Sequence, residues 1–274
     1  MGSTINIGSR TSTYDIGDSD STINLAKNDI INVENGNGIV QNTSFNSDAI
    51  NVNGEIHVSG GSALRIEGLA NKITTGFDSV ITGNIGIWLD NGTANSNLDG
   101  NIVVNQAQVV AIEAIRNEDA DTSILNFNVL RGDKAIVGVT YGLTLTNGKF
   151  ATIDGDSRGI DLSGVSDTSQ QSKITNDGTI NGDIAIIGGA ERENVTNHGT
   201  INGNVQLGAG SDVFDGSGGT VNGVVQGGDD NDTYIVDSTD INLQEQATGG
   251  TGDTVESTVS YTLHANFENL FLLG

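Results

Sequence analysis

A small residue followed by an aliphatic one recurs along much of the chain, at Gly38-Ile39, Ala63-Leu64, Gly86-Ile87, Ala111-Ile112, Ala135-Ile136, Gly159-Ile160 and Ala185-Ile186. Successive pairs are separated by 25, 23, 25, 24, 24 and 26 residues. A period of this size marks a supersecondary unit that buries its apolar face only by stacking on its neighbours. Several pairs open an alternating run, as in Gly86-Ile87-Trp88-Leu89 and Gly159-Ile160-Asp161-Leu162, and alternation is the signature of a half-buried strand. A second series, Ile56, Ile102, Phe127 and Phe150, precedes the first by about eight to ten residues, so each repeat holds at least two short strands. The segment Val109–Arg116 is the best helical candidate, but its place in the series assigns it to a strand. The expected fold is all-β: a parallel β-helix (β-solenoid) with coils of about 20–25 residues. Thr179-Ile180-Asn181-Gly182 is echoed by Thr200-Ile201-Asn202-Gly203 and Thr220-Val221-Asn222-Gly223, so the period shortens to 21 and then 20 residues.

In these shorter repeats, Gly227-Gly228-Asp229-Asp230-Asn231-Asp232-Thr233-Tyr234-Ile235 sets a glycine-rich acidic turn directly against a strand-like run. A hard divalent cation takes six to eight oxygens, and such a turn supplies backbone carbonyls together with a carboxylate. One turn provides only part of that shell, so a second copy must stack upon it. Leu207-Gly208-Ala209-Gly210-Ser211-Asp212-Val213-Phe214-Asp215 is that copy, with Leu207 in place of the first glycine. A weaker third follows at Gly249-Gly250-Thr251-Gly252-Asp253-Thr254-Val255. Asp212, Asp232 and Asp253 therefore recur at one-coil spacing and are expected to line one edge. A single Gly/Asp/Asn cluster is ordinary turn chemistry; copies in register are not.

Residues 200–274 resemble the hemolysin-type calcium-binding (RTX) family exported by type I secretion systems of Gram-negative bacteria. The nonapeptides carry the likeness, together with Asn231-Asp232-Thr233-Tyr234-Ile235-Val236-Asp237, the segment from Gly252 to Leu263, and Asn266-Phe267-Glu268-Asn269-Leu270. The resemblance implies calcium held by Asp212, Asp232 and Asp253, with carbonyls from Gly208, Gly210, Gly227 and Gly228. Asp230 stands where the family has glycine and joins the candidate ligands. The resemblance also implies export to the extracellular space or cell surface through an uncleaved C-terminal signal. The chain is then expected to be a segment of a longer protein.

The composition suits such a chain. Thirty-nine glycines and no proline mean that glycine, asparagine and aspartate make the turns. A net charge of −24 argues against nucleic acid and anionic membrane as partners and makes cations the natural counterpart. The absence of cysteine excludes disulfides, thiol catalysis and cysteine-type zinc sites. The N-terminus lacks the pattern of a secretory signal peptide, and no run approaches the length of a membrane span. The expected organisation is an irregular cap over 1–30, a parallel β-helix over 31–199, and calcium-binding coils with a C-terminal segment over 200–274. Cell-surface polysaccharide and self-association are the further partners expected, in a structural, adhesive or surface-layer role.

The competing expectation is a polysaccharide-active β-helix enzyme, a lyase, epimerase or glycosidase, with a calcium-binding tail. Its chemistry requires grouped acids on one face. Asp154 with Asp156, Glu118 with Asp119 and Asp121, and Asp161 near Arg158 are the pairs on offer, and none recurs from coil to coil. His57, His198 and His264 lie far apart and in no metal-ligating spacing. The Asp-Pro-His motif of calcium-dependent mannuronan epimerases is excluded by the absence of proline. No catalytic residue is assigned. Thr144-Leu145-Thr146 and Thr74-Thr75 do not extend into the threonine array that ice binding requires, and Trp88 is assigned to packing.

Overall fold

The computed structural model describes residues 4–17, 21–41, 48–68, 70–90 and 101–274. Among these there is no helix, and every strand pairing is parallel. The chain winds as a β-solenoid of about eleven turns. Each strand bonds to the equivalent strand one coil earlier and one coil later, giving a 13-stranded sheet and a 14-stranded one. Strands within the stretch expected to cap the solenoid already take part, since Thr4–Ile7 pairs with Thr22–Leu25.

Three largely aliphatic columns fill the interior. The 13-stranded sheet stacks Ile23, Ile50, Ile73, Val103, Ile124, Leu145, Ile174 and Val195, then Phe214, Tyr234 and Val255. The other sheet bends at a corner and contributes two columns. One runs Ile31, Ile56, Ile81, Val109, Leu130, Ile153, Ile180, Ile201, Val221. The other runs Ile39, Leu64, Ile87, Ile115, Ile136, Ile160, Ile186, Val205, Val225, Leu243. Burying one such side chain contributes about 1.5–3 kcal/mol, and each does so only against the coils on either side.

The columns explain the small residue of each pair and correct one of them. A side chain at Gly86 would stand 2.5 Å from the Ala114 carbonyl oxygen, and one at Gly159 would stand 2.6 Å from that of Ala185, so these positions lie against the neighbouring backbone. The pair in the fourth coil is Ala114-Ile115, not Ala111-Ile112: Ile112 is 58% exposed. Gln108–Asn117 is one strand that turns the corner, and the alternation restarts after it, so Val109 and Ile115 both point inward while Ile112 points out. Phe127 (42% exposed) and Phe150 (91%) lie outside the second column, where Leu130 and Ile153 stand instead, and Ile102 belongs to the opposite sheet.

Polar columns run beside the apolar ones. Asn105, Asn126, Asn147, Asn176 and Asn197 are fully buried, and each donates its side-chain amide to the next side-chain carbonyl at 2.8–2.9 Å. Thr75 caps one end through its hydroxyl, and the Thr220 carbonyl accepts at the other. A chain of amides satisfies each member only if its neighbours are present, so this ladder rewards a single register.

Candidate cation site

The corner that leads into each strand of the 13-stranded sheet is polar at every described position but Leu143. Along the solenoid it is occupied by Ser21, Asp48, Asn71, Asn101, Thr122, Leu143, Ser172, Glu193, Asp212, Asp232, Asp253 and Glu268. The side chain of one coil accepts a hydrogen bond from the backbone N–H of the preceding coil. Ser21 N–H donates to Asp48 Oδ1 (2.8 Å), Asp48 N–H to Asn71 Oδ1 (2.9 Å), and Asn71 N–H to Asn101 Oδ1 (3.0 Å). This satisfies amides that the turn leaves outside the sheet ladders.

From residue 193 onward the column is entirely acidic. Glu193 N–H donates to Asp212 Oδ1 (2.8 Å), Asp212 N–H to Asp232 Oδ1 (2.8 Å), Asp232 N–H to Asp253 Oδ1 (2.9 Å) and Asp253 N–H to Glu268 Oε2 (2.9 Å). The sequence separations are 19, 20, 21 and 15 residues, one coil each. One oxygen per carboxylate is thereby used. Glu193 Oε2, Asp212 Oδ2, Asp232 Oδ2 and Asp253 Oδ2 are buried and receive no hydrogen bond. Among the described residues, the ion pairs of lysine, arginine and histidine join other acids and none of these four.

Burial and mutual repulsion raise the affinity of these groups for protons. Burial, then the charges of Glu191 and Asp212, push Glu193 up to about 10. Burial and the charge of Asp232 push Asp212 up to about 8, against the hydrogen bond from Glu193 N–H. Burial and the charges of Glu245, Asp253 and Asp230 push Asp232 up to about 7. Asp253 is raised by burial and by Glu268. A buried carboxylate without a counter-charge costs several kcal/mol, so a proton or a cation must accompany each.

Glycine makes room for the acids. A methyl group at Gly227 would stand 1.9 Å from Asp232 Oδ2 and 2.5 Å from the Tyr234 hydroxyl. At Gly250 it would stand 2.2 Å from the Asp230 carbonyl oxygen and 2.6 and 2.7 Å from the Asp253 carboxylate oxygens. Glu245 also enters: it accepts from Gly227 N–H (3.1 Å) and from the Tyr234 hydroxyl, and burial raises its pKa. An all-oxygen donor set on glycine turns fits a hard divalent cation such as calcium better than zinc, which favours nitrogen and sulfur. Among the described residues no three His, Cys, Asp or Glu side chains surround one common point. A cation here must be shared between carboxylates and backbone carbonyls.

Asp212, Asp232 and Asp253 are thus brought onto one corner, with Gly227 against Asp232. Gly208 and Gly228 pair in the adjoining ladder and Gly210 follows it in the turn, with φ of 106, 122 and 113°, a conformation that favours glycine, each against the backbone of the previous coil. Asp230 is exposed, its side chain outside the column and its carbonyl oxygen facing Gly250. Sequence reasoning missed Glu191, Glu193 and Glu245. For the first two a signal existed, because Gly188–Val195 repeats the nonapeptide frame with glutamates in it.

Three of the acids considered for catalysis are held in ion pairs. Asp161 pairs with Lys134 (2.8 Å) and Arg158 (2.7 Å), Asp154 with Arg131, and Glu118 with Arg116 (2.6 Å). His57 contacts Glu55 and Thr82, His198 contacts Asp177, and His264 faces the Leu243 carbonyl. The Arg65 guanidinium lies over the Trp88 ring, 4.7 Å from its centroid. No protein-family model, no curated protein and no solved structure matches this chain.

Proposed function

We propose that the acidic corner of the C-terminal coils binds calcium, and that the chain is a calcium-stabilised β-solenoid segment of a secreted or surface protein with a structural or adhesive role. One observation carries the calcium part: successive buried carboxylates each keep an oxygen without a donor, beside glycine turns and with no ion-paired cationic side chain among the described residues. Calcium supplies the missing positive charge and takes oxygen ligands from two coils at once, so it links coils that otherwise repel. Export by a type I system and the surface role rest on the resemblance of residues 200–274 and on the charge of −24. A chain this acidic stays loose where calcium is scarce and closes where it is abundant. The stabilisation amounts to ~2.7 kcal/mol at a hundredfold excess over Kd.

Thermal melts and circular dichroism in EGTA, followed by a calcium titration with magnesium as control, test this. The expected result is a calcium-specific rise in melting temperature that Asp232→Asn diminishes. Identical melting in EGTA and in calcium sinks the proposal.

A further inference from the structure

The acidic corner begins one coil before the glycine-rich turns, and there it holds two carboxylates instead of one. Glu191 and Glu193 are 1% and 0% exposed. They occupy the positions that Gly210 and Asp212 hold in the next coil, since Asn194 pairs with Val213. Glutamate replaces glycine at the first of these positions, which doubles the acid content of this coil.

Each glutamate is anchored through one oxygen. Glu191 Oε1 accepts from the Ser172 hydroxyl (2.7 Å), and Glu193 Oε1 accepts from Gly189 N–H (2.9 Å). Glu191 Oε2 and Glu193 Oε2 are buried and receive nothing. The surroundings of Glu191 Oε2 are themselves oxygen. A methyl group on Gly189 would stand 2.7 Å from Glu191 Oε2, 2.7 Å from the Leu162 carbonyl oxygen and 2.7 Å from the Val165 carbonyl oxygen. Three oxygens therefore line one face of Gly189, and the two carbonyls among them, which accept from Val165 N–H (2.8 Å) and Ala190 N–H (3.2 Å), each keep a second lone pair. A methyl group on the adjoining Gly188 would be 2.7 Å from Glu193 Cδ, so the same two-glycine turn lies against both carboxylates.

We propose that Glu191 and Glu193, with the Leu162 and Val165 carbonyls, form a further site for a hard divalent cation, marking the N-terminal limit of the cation-bearing corner. The donor set is oxygen only, carboxylate and carbonyl together, as calcium takes. On the N-terminal side the same corner carries Ser172, which donates to Glu191, and then Leu143, so the acidic column ends here. The site shares its chemistry with the preceding proposal but uses residues outside the glycine-rich turns of Asp212, Asp232 and Asp253.

Calcium titration calorimetry on the parent, Glu191→Gln/Glu193→Gln, and Asp212→Asn/Asp232→Asn/Asp253→Asn separates the two proposals. The double glutamine variant is expected to lose one calcium per chain and to melt higher than the parent in EGTA, because removing buried like charges relieves repulsion. The triple asparagine variant is expected to keep a calcium that is lost on adding the glutamine changes. Glu191→Ala, which removes one of the two carboxylates without supplying a glycine, should lose the same calcium and serves if the double variant does not fold. Unchanged stoichiometry in the glutamine and alanine variants, with calcium lost in the triple variant, overturns this site and leaves the C-terminal one standing. A parent that binds no calcium overturns both. Glutamine variants that melt lower than the parent in EGTA make the pair structural and also overturn the site.

Discussion

The backbone N–H of Asp212 donates to Oδ1 of Asp232, one coil on, at 2.8 Å, and leaves Asp232 Oδ2 buried without a donor. The same bond that sets the register between two coils thus creates a demand for positive charge. On the proposed reading, register and calcium binding are coupled at this carboxylate.

That coupling has a pH signature in chelator. Asp212 and Asp232 are raised to about 8 and about 7 from an ordinary carboxylate value near 4. The folded chain then holds more protons than the unfolded chain between those values, so stability falls with rising pH. The contribution is complete below about pH 4 and lost as pH passes through 7 to 8. Melting temperature measured in EGTA from pH 5 to 9 should decline by several degrees, and saturating calcium should abolish the decline. A flat profile in EGTA contradicts it.

Asp161 has the opposite sign. Burial raises it, but hydrogen bonds from Lys134, Ser163 and Arg158 outweigh that and hold it at about 2. Its stabilisation is present above the ordinary carboxylate range and lost as pH falls through about 2. Asp161→Asn should cost about 1–3 kcal/mol at neutral pH, less than a fully buried pair because both cations are part-exposed. Urea unfolding at pH 7 and at pH 2 checks this: the parent and the variant should converge in acid.

Asn147 sits mid-ladder, accepting from Asn126 at 2.9 Å and donating to Asn176 at 2.8 Å. Asn147→Ala leaves Asn176 Oδ1 buried without its donor, while the Asn126 amide keeps the Asn128 and Thr152 carbonyls, and should cost about 1–3 kcal/mol by denaturant titration. Replacing Asn197, whose amide meets only the Thr220 carbonyl at 3.2 Å, should cost less.

Ile112 and Ile115 lie in one strand on opposite sides of the wall, one 58% exposed and the other fully buried. Ile115→Ala should destabilise by about 2–5 kcal/mol, and Ile112→Thr should change stability by under about 0.5 kcal/mol. Equal losses in the two variants would restore Ile112 to the core.

The legible part of the fold was its repeat. Gly86-Ile87 and Gly159-Ile160 announce coils because a small residue must pass close to the neighbouring backbone where an aliphatic turns inward. The spacing of Asp212, Asp232 and Asp253 was equally plain, since a one-coil interval in a parallel solenoid is a position in a column. Phe127 and Phe150 misled because aromatic residues suggest a core, whereas these stand at turns. Asn126 and Asn147 went unnoticed because buried asparagine looks like turn chemistry until its amide is seen bonding along the axis.

By itself the sequence determined a strand-only, proline-free repeat that shortens toward its C-terminal end, and the recurrence of acid at one point of its last turns. Only the tertiary structure decided which residues face inward at each corner and how Glu191, Glu193 and Glu245 enter the acidic column. The physical reason is the period of two. An extra residue at a corner reverses every side chain after it, and that insertion is visible only once neighbouring coils are in register.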